Sequence, residues 1–225
     1  MGAVVGDLLP LGVGVAVSPV PIIAVILMLL APRAGGTSAG FGLGWLAGIV
    51  VVTTVVVLVA GGAGAGTDEG GPSTVTSWVT LLLGVLLLAL GVREWRQRPK
   101  PGDEAALPKW MAAIDGFTPV KATGLGFLLS ALNPKNLLMC IGAGLTIGQA
   151  NLDTGQSVLA VAVFTVIAAS TVLLPVIAYA VAKDKMRHPL DELKAWLQVN
   201  NAAVMGVLVL VIGTVLLGKG LGGLL

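Results

Sequence analysis

Lys135 stands in the stretch Asn133-Pro134-Lys135-Asn136, inside an apolar run covering 119–148. Lys121 marks the basic end of that run. Lys135 lies about a dozen helical residues further on, which places it near the middle of a membrane crossing. All eleven acidic residues fall in loops or near the ends of apolar runs, so no carboxylate is at hand at that depth. A lysine there costs at least about 2.5 kcal/mol on insertion scales, and it must face a cavity or a polar partner. Three roles suit it. It can pair with a substrate anion, lose its proton and take part in coupling, or bond to the backbone carbonyls freed by Pro134.

The first apolar run carries a matching feature, Ser18-Pro19-Val20-Pro21. Pro19 and Pro21 each remove a backbone donor and free the carbonyls of Val15 and Val17, and Pro134 does the same for Ser130. Ser18 and Asn133, each followed by proline, read as N-caps with proline at the first helical position. The expectation is two interrupted spans whose second halves restart within the membrane, their positive dipole ends offering a place for an anionic or strongly polar group. The alternative is that these prolines only kink tightly packed helices, and Pro175, with Thr171 able to satisfy part of its break, is read that way. Thr53-Thr54 and Ser170-Thr171 add hydroxyls at corresponding places in the second and fifth runs. The candidate substrate-binding set is therefore Ser18, Pro19, Pro21, Thr53, Thr54, Asn133, Pro134, Lys135, Asn136, Ser170 and Thr171.

The inventory excludes much else. His188 is the only histidine and Cys140 the only cysteine, so His-based metal sites, His-dependent triads, disulfides and thiolate clusters have no residues to build them. No acid, His or Cys constellation falls inside the apolar runs. The expectation is a protein that is not an enzyme, with no cofactor, no metal and no nucleic-acid partner.

The elements that position these residues are membrane spans. Hydrophobic residues make up 56% of the 225 and charged ones only 11%, against about 25% in a soluble domain; mean hydropathy is +0.98. Crossing the hydrocarbon core takes about 20 apolar residues, and runs of that kind cover 8–31, 37–62, 74–92, 119–148, 156–182 and 199–218. Met1–Asp7 has no Lys or Arg, so the first run reads as a retained helix and not as a cleaved signal peptide. The basic residues crowd two links, Arg93–Lys121 and Lys183–Lys194, with Arg33 in a short turn on the same side; the loops Ala63–Ser73 and Gln149–Gly155 have none. By the positive-inside rule the links face the cytoplasm and both termini lie outside the inner (cytoplasmic) membrane. Trp110, Ile114 and Phe117 in one link, and Leu190, Leu193, Trp196 and Leu197 in the other, predict short interfacial amphipathic helices. Gly40, Gly44 and Gly48, and Gly144 and Gly148, form small-residue stripes suited to close packing within a bundle or, less directly, to a homodimer.

The halves resemble each other. Gly12-Val13-Gly14 before Ser18-Pro19 parallels Gly124-Leu125-Gly126 before Asn133-Pro134; Thr53-Thr54 parallels Ser170-Thr171; Gly84 and Gly91 parallel Gly206 and Gly213 at the same spacing. Three spans per half is an odd number, so the halves must be inverted. The fold expected is an all-α membrane protein of six transmembrane helices as two inverted three-helix repeats, 1–92 and 119–225, with helices 1 and 4 interrupted at proline. A basic link, 93–118, joins the repeats, and another, 183–198, lies within the second. Inverted repeats are the usual architecture of secondary transporters.

The stretch Ser18-Pro19-Val20-Pro21-Ile22-Ile23-Ala24-Val25-Ile26-Leu27-Met28-Leu29-Leu30, then Ala31-Pro32-Arg33 and Gly44-Trp45, resembles the actinobacterial GAP family, which includes the sulfolipid-1-addressing and glycopeptidolipid-addressing proteins. Asn133-Pro134-Lys135 is similar to the Asn-Pro-Lys motif of the LysE-type exporter superfamily. The resemblance runs over nearly the whole chain. It implies a six-helix transporter that moves lipids or glycolipids towards the cell surface, with Ser18, Pro19, Pro21, Asn133, Pro134 and Lys135 at its central site. Membrane lipids are its expected partners, and a larger lipid-export machine is a further candidate. Export of small hydrophilic solutes, amino acids or cations, remains open at this point, as does a non-transporting accessory scaffold of such a machine.

Overall fold

The computed structural model describes residues 1–64, 74–96 and 109–225. The loop 65–73, and Arg98 and Lys100 with the rest of 97–108, lie outside the described residues. Among those described, the chain is helical. In order it forms α1 (Gly2–Ala16), α2 (Pro19–Leu30), α3 (Ala34–Gly64), α4 (Thr74–Arg96), a 3₁₀ segment (Lys109–Gly116), α5 (Pro119–Ala131) and α6 (Pro134–Gly148). A last helical stretch breaks at Ala182 (φ −138°, ψ 49°) into α7 (Thr154–Ala182) and α8 (Met186–Gly222).

Four of these helices, α3, α4, α7 and α8, are long and apolar enough to cross a membrane by themselves. Two bent pairs pass the same test only when taken together, α1 with α2 at 53° and α5 with α6 at 64°. Counting each pair as one span gives six. Valines and leucines that would be buried in a soluble protein point outward along every crossing, among them Leu43, Leu58, Val166 and Val181, as a lipid-facing surface requires.

The ends sort into two groups. Lys219 of α8 pairs with Asp7 of α1 at 2.6 Å, and Ser77 at the start of α4 donates to the Gly223 carbonyl at 3.1 Å. Both chain ends and the start of α4 therefore share one end of the bundle. Arg33, Pro119, Tyr179 and Arg187 gather at the other.

Glycine sets the closest crossings. Gly40, Gly44 and Gly48 of α3 lie against the backbone of α5 at Pro119, Thr123 and Phe127, and Gly126 of α5 lies against α3 at Phe41 and Trp45. Gly144 and Gly148 of α6 meet α3 again, at Thr53, Val56, Val57 and Ala60. Both stripes are thus used inside the bundle. Antiparallel α4 and α8 pack through Gly84, Gly91, Gly206, Gly213 and Gly220.

The segments between spans differ from the expectation in one respect. The link 183–198 holds no separate helix after Pro189; Pro189, Leu190 and Trp196 belong to α8 itself. Pro189 falls in the first turn after Met186, where a missing N–H breaks no helical bond. At 1.5 Å per residue, the 37 residues of α8 span about 55 Å against a hydrocarbon core of roughly 30 Å. Its first turns therefore project past the membrane. There Leu190 and Leu197 are buried while Trp196 stays exposed. In the 3₁₀ segment, Met111 and Ile114 are buried in the core, and Phe117 just after it packs against the core.

Candidate functional site

The first break is built from four consecutive carbonyls at the end of α1, each with a partner. Val17 (φ −81°, ψ 66°) makes an inverse γ-turn in which the Ser18 N–H donates to the Ala16 carbonyl at 2.9 Å. That turn swings the chain away before α2 begins and leaves the last carbonyls of α1 open. The Lys135 ammonium donates to Gly14 O at 2.7 Å and to Val17 O at 3.2 Å. The Ser18 hydroxyl lies 2.7 Å from Val15 O and 3.0 Å from Asn136 Oδ1, sharing one proton between them. Thr171 of α7 donates its hydroxyl to Ala16 O.

The second break is tied to the first. Asn133 (φ −65°, ψ 122°) caps α6, its side chain accepting from the Lys135 N–H at 3.1 Å. Asn136, fully buried, donates its amide to Leu129 O of α5 at 3.0 Å while accepting from Ser18. Lys135 and Asn136 are neighbours in the first turn of α6, so one turn of helix holds the ends of both α1 and α5. Electrostatics favours the arrangement. The open carbonyls at the C-terminus of α1 carry the negative end of its dipole, and the ammonium sits against them. With no ion-pair partner among the described residues, the buried amine is thereby held by fixed partial charges, as a polar group at membrane depth requires.

The structure brings together Ser18, Lys135, Asn136 and Thr171, with Asn133 capping beside them. The rest of the candidate set stands apart from this cluster. Pro19 and Pro21 are buried in the first turn of α2, where they shape the restart and contribute no donor. Pro134 is exposed on the outer surface. The Ser170 hydroxyl returns to Ile167 O of its own helix. Thr53 lies beside Cys140 of α6, more than a turn beyond Lys135, fully buried and with no well-formed hydrogen bond; Thr54 follows it, half-buried, on α3. Thr171 serves α1, not the break at its own Pro175. Likewise Lys135 bonds the carbonyls at the first break, not those freed by Pro134.

The residues that sequence reasoning missed act through their main chains. Gly14, Ala16 and Leu129 supply carbonyls, and no side-chain signal marks them. Gly14 alone left a trace, in the repeated Gly-x-Gly. A Cβ there would collide with Ile212 and meet Met139 Sδ at 2.6 Å, so only glycine lets α1 come this close to α6 and α8. Three further buried polar atoms have no partner among the described residues: Trp45 Nε1, Thr165 Oγ1 and Asn201 Oδ1. Chemically, the cluster can hold charge and change partners. It offers no general acid–base pair and no nucleophile with a base.

No curated protein and no solved structure matches this chain. A family model does, over residues 8–222, a stretch that takes in both bent helix pairs, the Lys135 cluster and all four long helices. On that match the chain belongs to the family described as Sap, sulfolipid-1-addressing protein (SfLAP).

Proposed function

We propose that this chain is a transporter of the cytoplasmic membrane that moves a lipid or glycolipid with an anionic or polar headgroup by alternating access between two inverted halves. The observation that carries the reading is the cross-tie at the breaks. Lys135 and Thr171 of the second half hold the end of α1 in the first. Any rocking of one half against the other must break or exchange those bonds, which gives the halves a polar latch at mid-depth.

The packing of α4 on α8 supports an inverted repeat. The alignment that pairs Gly84 with Gly206 and Gly91 with Gly213 also pairs Leu88 with Leu210 and Trp95 with Leu217. Gly84 packs on Leu217, and the exchanged contact, Gly206 on Trp95, is present as well. Gly91 packs on Leu210, and its exchange, Gly213 on Leu88, is again present. An antiparallel helix pair whose contacts survive swapping the halves is what a dyad between repeats produces. Membership of the LysE-type exporter superfamily is part of the same reading, with Asn133-Pro134-Lys135 at the second break.

The orientation proposed places both termini outside. In a Cys140→Ala background, Gly2→Cys is expected to react with an impermeant thiol reagent in intact cells, and Gly116→Cys only after permeabilisation; the reverse pattern inverts the topology. Transport itself is tested with purified protein in liposomes carrying headgroup-labelled sulfated, phosphorylated and zwitterionic lipids. Movement of label between leaflets is expected above that of protein-free liposomes, greatest for the anionic lipids. Flux no greater than in protein-free liposomes for every lipid overturns the transporter reading. It leaves the second, an accessory scaffold of a larger lipid-export machine, which one observation favours: two of the three Lys135 donors already have carbonyl partners.

A further inference from the structure

A cavity of about 690 Å³ opens at the end of the bundle opposite the chain termini. Its walls come from six elements that meet there: the end of α2 (Leu30), the turn Ala31–Arg33, the first turns of α3 and α5 (Gly36, Pro119), the end of α7 (Tyr179) and the start of α8 (Arg187). Arg187 reaches the rim just beyond the Ala182 break. Arg33 belongs to the first half and Arg187 to the second, and both are exposed. Among the described residues no acid lines the cavity, and no carboxylate lies within ion-pair distance of either guanidinium. The floor is apolar, with Leu30, Ala31 and Ala180 beneath the two arginines.

We propose that this cavity binds a tetrahedral oxyanion, the sulfate or phosphate ester of a lipid headgroup, between Arg33 and Arg187. Every wall is the end of a span, so the cavity lies at headgroup depth, where the ester of a membrane lipid would be and its chains could run down the adjoining apolar surface. Two planar guanidinium forks suit an oxyanion with several acceptor oxygens, because each can bind two of them side by side. The first turns of α3 and α5 add the positive ends of their dipoles on the same side. The site is distinct from the Lys135 cluster. Its place in transport, as the point where headgroups are gathered from the leaflet, rests on the translocation reading, whereas binding itself does not.

The test is equilibrium binding with no flux, on the full chain in phosphatidylcholine nanodiscs. The probes are a fluorescent sulfated glycolipid, fluorescent phosphatidic acid, and inorganic sulfate and phosphate at fixed ionic strength. Arg33→Gln and Arg187→Gln are each expected to weaken binding of the anionic lipids about tenfold, the loss of one charge-assisted contact, and the double variant to abolish it. Arg→Lys at both positions keeps the charge but not the fork, and is expected to recover only part of the affinity. Both arginines are exposed, so melting temperatures should stay at the wild-type value. Equal binding by wild type and double variant overturns the site, and full recovery by lysine overturns the paired-fork geometry. Inorganic sulfate or phosphate binding as tightly as the lipids would assign the cavity to the free anion and overturn the lipid headgroup. Binding that persists in a protein showing no flux leaves this site standing while the transporter reading falls.

Discussion

Lys135→Ala is expected to cost the protein its folded state before it costs any activity. The side chain does two jobs at once at the end of α1, closing Gly14 O and Val17 O. Leaving a buried acceptor unpaired costs about 1–3 kcal/mol, so two lost partners amount to about 2–6 kcal/mol. The sequence alone suggests the opposite sign, because deleting a charge from the membrane centre should ease insertion. In the folded chain, however, that charge is already held against the dipole end of a helix, and the carbonyls suffer when it leaves. The expected result is a sharp fall in melting temperature in detergent and a loss of monodisperse protein.

Lys135→Met keeps most of the volume and removes the donors, so it should fall nearly as far. Lys135→Arg keeps the donors but brings a wider group into a space bounded by Gly14 and Met139, and should be intermediate. Wild-type melting for Ala and Met would show that the carbonyls find other partners and that Lys135 is not the latch. A variant that melts as wild type yet moves no lipid would instead place the lysine on the substrate.

How far this site is readable in the sequence depends on the range of each interaction. The breaks are local events. A proline removes its own N–H and obstructs the carbonyl four residues back, so Ser18-Pro19-Val20-Pro21 and Asn133-Pro134 announce interrupted helices from a few neighbouring letters, and α1–α2 and α5–α6 bend there. The depth of Lys135 follows from counting along one apolar run. What it touches does not, since its acceptors lie more than a hundred residues away in another helix and are backbone atoms common to every residue. The same limit explains Thr171. Its spacing to Pro175 fits a bond within its own helix, and only the approach of α1 redirects it to Ala16. Thr53 and Ser170 looked alike in the repeat because hydroxyls are small and common in such spans, and the structure sends one against Cys140 and the other back to its own backbone. The start of α8 departs from the expected interfacial helix for a different reason: a leucine stripe followed by a tryptophan describes an interfacial helix and a protruding first turn equally well.

Close packing of glycine gives the second large effect, and here the sequence pattern and the geometry coincide. In lipid, apolar side chains gain little by leaving one apolar surface for another, so helices associate through close contact of backbones and through hydrogen bonds. At the crossing of α3 and α5 that contact is extreme. A Cβ on Gly44 would collide with the Thr123 carbonyl and stand 3.0 Å from the Phe127 nitrogen; one on Gly40 would stand 2.6 Å from the Pro119 carbonyl. Ordinary carbon contacts lie near 3.5–4.0 Å, so the helices would have to part by about 1 Å. The obstructing atoms are backbone and cannot rotate aside. Gly44→Ala should therefore destabilise by at least the roughly 1–3 kcal/mol of ordinary overpacking, and Gly44→Val should leave little folded protein. Gly62→Ala, on the same helix but with nothing within 4 Å of its Cβ, is expected to be neutral or to gain up to about 1 kcal/mol from helix propensity. Because the two substitutions are chemically identical, opposite signs isolate the crossing from any general intolerance of α3. A Gly44→Val protein that melts as wild type would mean that α3 and α5 do not touch along this face. Since α5 leads directly into the Asn133 cap, a parted crossing would also misplace Lys135, so Gly44→Val should lose the α1 latch together with the helix contact.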